Sequence, residues 1–271
     1  MSVRLDDIQR AVRELALSDK ALCVHSSLRS FGWVDGGAQS VINGLLAEGC
    51  TVMAPTFTIF LHSTAPPADL RIPRNGCDYD VLSAVLGANP RVFTPQDDDI
   101  DAHIMGAIPS ALLRMPNRIR GNHPLNSFAA IGPLAEDLVD CQKPLDVYAP
   151  LRMLIAMNGF VLLMGVGFER MTLLHHAEQL AGRKTFRRWA TGPDGKPITV
   201  EAGGCGFGDF EQVLSPIVRE TRVGESIWKA LPARDAAKAA ARAIRENPDI
   251  TRCGNPDCLE CNDAVAGGPL L

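Results

Sequence analysis

The sequence predicts an α/β fold, one domain over residues 1–271, with a mixed, partly parallel central sheet flanked by helices and interrupted by inserted loops. Three observations predict it. Residues 21–55 run apolar stretch, glycine-rich turn, helical pattern, apolar stretch, the order of a βαβ unit with a parallel strand pair. Residues 159–167, GFVLLMGVG, form an unbroken apolar run of strand length, as expected of a strand covered on both faces. Hydrophobic residues make up 46% of a 271-residue chain without internal repeats, enough to fill the core of one large unit.

The elements follow in order. Residues 5–17 place Ile8, Val12, Leu15 and Leu17 at helical spacing among charges. ALCVHSSL then reads as a buried strand leaving the sheet. Residues 38–47 read as a helix with Gly49 as its stop, and TVMAPTF as a second buried strand. Residues 58–101 carry prolines at 66, 67, 73, 90 and 95 and the acidic run QDDDID, so a loop-rich insertion is expected there. Pro109 suits the first turn of a helix in MGAIPSALLRM. SFAAIGPLAEDLV gives a strand, a turn and a helix. After the central strand at 159–167, GPDGK marks a hairpin between residues 183 and 205. ARDAAKAAARAIREN is a helix that Asn247-Pro248 ends. Residues 252–271 form a Cys-rich tail.

The bulk numbers exclude some classes. A net charge of −4 and a pI near 5.9 argue against a nucleic-acid binder. No run approaches the ~18 apolar residues of a membrane span, and the N-terminal stretch lacks the apolar core of a signal peptide. A cytoplasmic protein is expected, its eight cysteines present as thiols or metal ligands rather than disulfides.

GFERMTLLHHAEQLAG, residues 167–182, follows the central strand, where α/β folds tend to hold ligands. On a helix His175 and Glu178 share a face, and a carboxylate beside an imidazole makes a base that works near neutral pH. Thr172 lies on roughly the same side, whereas His176 points away. Two other readings stay open at this point: histidines that satisfy local hydrogen bonds, and a His/Glu metal site.

HSSLRSFGWVDGGAQS places Gly36, Gly37 and Ala38 at a helix start, a ready anion site. Ser26, Ser27 and Leu28 precede it, and the serines can add hydroxyl donors. In RGNHPLNSF, His123 and Ser127 flank Pro124 in an extended stretch, with a structural role for His123 as the alternative. Asp99 and Asp101 belong to an acidic stretch that would attract ammonium groups. Cys253, Cys258 and Cys261 are spaced for a structural zinc site, with Cys205 in GGCG as the fourth ligand.

Five collinear segments together resemble the aminoglycoside 3-N-acetyltransferase family, the antibiotic N-acetyltransferase fold that is distinct from GNAT enzymes. They are VHSSLRSFGWVDGGAQSVINGLL, TVMAPTFT, MGAIPSALLRMPNRIRGNHPLNSFAAIGP, GFVLLMGVGFERMTLLHHAE and RVGESIWKALPARD, spanning residues 21–234. The resemblance implies acetyl transfer from acetyl-coenzyme A to an aminoglycoside amine, conferring resistance. It implies that the HSSL and GGA segments, with His123 and Ser127, bind the coenzyme. His175 would be the general base in a T-x-L-H-x-A-E motif, joined by Glu178 and Thr172; Glu169, Asp99 and Asp101 are read, from their charge, as acceptor-side groups. The chain departs from the family pattern at Gly121, at Ala149-Pro150-Leu151 and at Glu169-Arg170-Met171-Thr172. A narrow aminosugar such as kasugamycin, acetylated at its 2′-amine, or a biosynthetic amine is the alternative acceptor. A non-catalytic coenzyme A-binding or scaffold protein with a zinc-held tail is the alternative of another class. The partner is a small-molecule aminoglycoside or aminosugar, and self-association into a homo-oligomer is left open.

Overall fold

A computed structural model describes residues 2–86, 91–205, 207–208 and 210–271. The strands are β1 Ala21–Ser26, β2 Thr51–Pro55, β3 Ile119–Arg120, β4 Phe128–Ile131, β5 Phe160–Met164, β6 Phe186–Thr191, β7 Pro197–Ala202, β8 Arg219–Val223 and β9 Ser226–Pro232. Seven of them form one sheet in the order β3-β4-β2-β1-β5-β9-β8, and β6 and β7 pair as a separate hairpin. β1 runs parallel to both β2 and β5, and the remaining pairs are antiparallel. The sheet is therefore mixed and partly parallel, as the sequence predicts.

The helices in chain order are α1 Leu5–Glu14, α2 Gly37–Ala47, α3 Ile59–His62, α4 Tyr79–Leu86, α5 Ala102–Met105 and α6 Ala107–Leu113. They continue with α7 Ala135–Val139, α8 Ala149–Ala156, α9 Leu173–Leu180, α10 Glu211–Leu214, α11 Ala233–Glu246 and α12 Leu259–Val265. Side chains alternate across a strand, so β1 feeds two cores. Ala21 and Cys23 face Leu151, Leu174 and Ala237 from α8, α9 and α11. Leu22 and Val24 face Ile8, Ile42 and Leu112 from α1, α2 and α6. Burial on both faces is why β1, β2 and β5 carry continuous apolar runs. The small residues of α11, Ala236, Ala237, Ala240 and Ala241, lie on its buried face. They let this helix sit close to its neighbours.

The predicted strands at β1, β2, β4 and β5 and the hairpin β6–β7 form, as do the helices at α1, α2, α6, α7 and α11. Residues 58–101 are not all loop: the eight-residue α4 forms there, while Pro90 lies outside the described residues. The 97–99 backbone is tied down by Arg120. Its guanidinium donates to the carbonyls of Thr56, Asp97 and Asp99 at 2.8–2.9 Å and to Ser127 Oγ at 3.0 Å. Among the described residues, no helix is long and apolar enough to cross a membrane.

Candidate active site

β1, β2 and β5 share one direction, and their carboxyl ends open on a cavity of about 670 Å³. Ser26 ends β1 and Ser27 to Arg29 follow it on the cavity wall, Phe57 follows β2, and Glu169 to Thr172 follow β5. The end of α5 and the start of α6, His103 to Ala107, close another side. This is where α/β sheets place ligands, because the chain leaves each strand there to form loops.

His175 stands on this wall at the start of α9. Its Nδ1 lies 3.1 Å from Glu178 Oε2, one helical turn on. The other oxygen of Glu178 accepts a 2.7 Å bond from Arg183. Arg183 is held in turn by Thr251 Oγ1 at 2.8 Å and the Pro248 carbonyl at 2.6 Å. Tyr148 stacks on the imidazole at 6.0 Å, and Phe207 meets it at 4.7 Å. Gly203 makes the closest approach: a Cβ there would lie 2.9 Å from His175 Nε2 and 2.5 Å from the Tyr148 hydroxyl. A side chain at that position would displace the ring. With Glu178 accepting the Nδ1 proton, the free lone pair of the neutral imidazole is on Nε2.

A second, smaller chamber of about 240 Å³ also reaches His175. Asn126, Tyr148, Arg188, Gly203 and Glu260 line it, and it shares Phe57, His175 and Gly204 with the large cavity. The imidazole is thus presented to two spaces at once.

Other predicted residues fall into two groups. Ser26, Ser27, Leu28, Glu169 and Thr172 line the large cavity, and Ser26 Oγ is buried there without a hydrogen-bond partner. His176 is buried and bonds Gln179 at 2.9 Å, so it serves packing, and burial lowers its pKa. The remaining candidates lie elsewhere or are engaged within the fold. Gly36, Gly37 and Ala38 do not line the cavity. The Gly37 amide is already donated to the Val34 carbonyl at 3.0 Å, and Gly36 takes a left-handed φ of 74° to start α2. Those glycines make the turn that starts α2.

His123 and Ser127 are fully buried away from the cavity. His123 Nδ1 accepts the Leu125 and Asn126 amides at 3.3 and 2.9 Å, and burial lowers its pKa to about 4. Ser127 Oγ joins Arg120 to the Thr56 carbonyl. The two acids placed toward the acceptor are likewise committed inside the fold. Asp99 pairs with Arg91 at 2.5 Å and with His62 at 3.4 Å. Asp101 accepts the Phe60 amide at 3.0 Å and is 3% exposed; burial raises its pKa.

Sequence reasoning missed Arg29, Tyr148, Arg183, Gly203, Phe207 and Glu260. Only Arg183 left a local trace, one turn beyond Glu178. The others reach the site through tertiary packing.

The four cysteines do converge. The sulfurs of Cys205, Cys253, Cys258 and Cys261 all lie within 4.8 Å of one another. Tetrahedral zinc with Zn–S bonds of about 2.3 Å sets sulfurs roughly 3.8 Å apart, so the cluster has the size to hold one ion. The Cys253 amide donates to Cys261 Sγ at 3.3 Å, and all four thiols are free of disulfides. Among the described residues no such group includes His175 or Glu178.

Comparison with known proteins shows the family and the fold of the chain. The family described as aminoglycoside 3-N-acetyltransferase matches residues 23–245. The chain is 37% identical over 190 residues to aminoglycoside N(3)-acetyltransferase IX of Micromonospora chalcea, covering 66% of this chain and 63% of that protein. It is 32% identical over 230 residues to aminoglycoside N(3)-acetyltransferase VII of Streptomyces paromomycinus, covering 82% and 67%. The first match thus spans less than two thirds of its relative. The fold is similar to that of aminoglycoside acetyltransferase AAC(3)-Xa, with 27% identity, a TM-score of 0.70 and coverage of 90% and 93%. It also resembles a mutant of aminoglycoside acetyltransferase AAC(3)-IVa in complex with gentamicin, at 24% identity and a TM-score of 0.76, covering 98% of each chain.

Proposed function

The chain belongs to the aminoglycoside 3-N-acetyltransferase family, and from that premise we propose that it moves an acetyl group from acetyl-coenzyme A to an amine of an aminoglycoside, as a resistance enzyme would. The observation that carries this reading is His175, backed by Glu178 and Arg183, on the wall of a cavity large enough for an extended cosubstrate.

An ammonium group has no lone pair, so the acceptor must lose a proton before it attacks. His175 Nε2 takes that proton, and Glu178 stabilises the imidazolium. The amine nitrogen bonds to the thioester carbonyl carbon. The tetrahedral intermediate then collapses: the C–S bond breaks, the departing thiolate takes the proton held by His175, and the freed imidazole passes the nitrogen's second proton to solvent, leaving amide, thiol and one released proton. Thr172, on the same wall, offers a hydroxyl donor to the thioester oxygen as negative charge gathers there. No covalent enzyme intermediate is required, because bringing amine and thioester together supplies much of the acceleration. Arg29 and Arg170 on the cavity wall supply cations for the coenzyme phosphates, and Ser26 Oγ is an unspent donor beside them. The convergent cysteines are assigned to a structural zinc ion, which fits a reducing, cytoplasmic setting.

The test is thiol release from acetyl-coenzyme A by purified protein across a panel of aminoglycosides. Wild-type protein should turn over at least one. His175→Ala should lower kcat by about a hundredfold or more while coenzyme A still binds. Thiol release at the wild-type rate in that variant would overturn the assignment.

A further inference from the structure

The zinc ligands and the smaller chamber are built from the same segments. Cys205 directly follows Gly203 and Gly204, which line that chamber. Glu260 lies between Cys258 and Cys261, and its side chain lines the chamber too. Beyond Cys205, Phe207 packs against His175 at 4.7 Å. Four sulfurs within 4.8 Å of one another thus link the loop after β7 to the start of α12, on either side of the chamber wall.

The chamber's chemistry suits a cation rich in hydrogen-bond donors. Asn126 is 5% exposed, and its Oδ1 is buried without a hydrogen-bond partner. Glu260 Oε1 accepts a 2.7 Å bond from Arg188, whose guanidinium also donates to the Asn75 and Arg187 carbonyls. That ion pair leaves the lining near neutrality. A zinc ion with four thiolate ligands carries net negative charge, and here it would sit directly behind Gly204 and Glu260. A filled metal site would therefore add to the attraction of the chamber for ammonium groups.

We propose that Cys205, Cys253, Cys258 and Cys261 bind one zinc ion that fixes the acceptor-side wall of the active site, and that Glu260, held within the metal-binding segment, is the carboxylate that recognises the cationic acceptor. The acceptor half of this proposal rests on the acetyltransferase reading above. The metal site is structural: it takes no part in the transfer step and acts on how the amine is bound. Asn126 Oδ1 supplies the second acceptor in the chamber, which orients the amine toward His175 from the side opposite the coenzyme.

The experiment uses full-length protein purified without a metal-affinity tag. Atomic emission should give about one zinc per chain, reduced by Cys205→Ser and by Cys258→Ser. Wild-type protein, chelator-treated protein and Glu260→Gln are then compared with gentamicin as acceptor. Glu260→Gln should keep its zinc and raise the KM for gentamicin about tenfold or more, with the KM for acetyl-coenzyme A unchanged. Chelation should do the same and be reversed by added zinc, which keeps the test open should the cysteine variants misfold. Zinc-free protein with four reactive thiols would overturn the metal site, and so would pairwise disulfides. An unchanged gentamicin KM, or an equal shift in both KM values, would overturn the role of Glu260. Should wild-type protein release no thiol with gentamicin or any other aminoglycoside, the acetyltransferase reading falls and takes the acceptor role with it. The zinc content still decides the metal site.

Discussion

Gly203 shows what one residue controls. Its lack of a side chain lets the loop after β7 pass against the faces of His175 and Tyr148. Gly203→Ala would press a methyl group into both rings. Overpacking of this kind costs about 1–3 kcal/mol, and a base displaced by even a fraction of an ångström loses much of its effect. The expected outcome is a fall in kcat of tenfold or so, with a melting temperature only slightly lowered; unchanged kcat would refute the close approach. The sequence places Gly203 in GGCG but holds no sign that a histidine far earlier in the chain needs it bare. His25 and His123 carry a second prediction. Burial lowers each to about 4, against roughly 6.5 in the unfolded chain. Between those values the unfolded chain binds protons that the folded chain refuses, so stability falls as pH drops through 6.5 and levels off below 4. Each group contributes up to roughly 3 kcal/mol of this loss. Thermal melts from pH 7 to pH 5 should show it, and His123→Asn, whose side-chain oxygen can still accept the two amides, should flatten part of it. A wild-type melting temperature constant over that range would contradict the burial of both rings.

Among the elements, α9 links sequence to chemistry most directly. The spacing of His175 and Glu178 is legible because a helix sets i and i+3 on one face, and the apolar run before it marks the central strand. Arg183 lies past the end of the helix, and its hold on Glu178 depends on the segment after α11, at Pro248 and Thr251. It is a positioning residue. Arg183→Met should lower kcat several-fold through a mobile Glu178, leave both KM values near wild type and alter the pH profile of kcat. A change in KM alone would point to another role. The β8–β9 hairpin was not legible, because β8 reads RETRV and alternates no apolar face. Edge strands carry such charges, which discourage pairing with other chains. The tail hid α12 for a similar reason: Cys, Gly and Asp signal turns, and the apolar face of this helix is the single buried residue Cys261.

At the scale of the whole molecule, the β1–β2 parallel pair and the buried strand β5 were readable, and the order of the sheet and the long connections were not. β1, β2 and β5 announce themselves by apolar runs, and their shared direction fixes which end of the sheet holds the site. Arg120, His123, Ser127, Asp99 and Asp101 instead form the frame that ties residues 97–101 and 120–127 to the end of β2. In the sequence His123, Ser127, Asp99 and Asp101 look like binding groups, because polar side chains beside turns give the same pattern whether they face a ligand or a backbone carbonyl. Arg120→Met would strip the 97–99 backbone and Ser127 of their donor. Removing a buried charge that satisfies several carbonyls costs about 3–5 kcal/mol, so a marked drop in melting temperature is expected; a variant as stable as wild type would show the frame to be dispensable. One consequence of the two chambers meeting at His175 concerns inhibition. A single molecule filling both, with its linker passing Phe57 and Gly204, would turn two weak ligands into one tight one through effective concentration. Mutations confined to either chamber would weaken only one end of such a bisubstrate inhibitor.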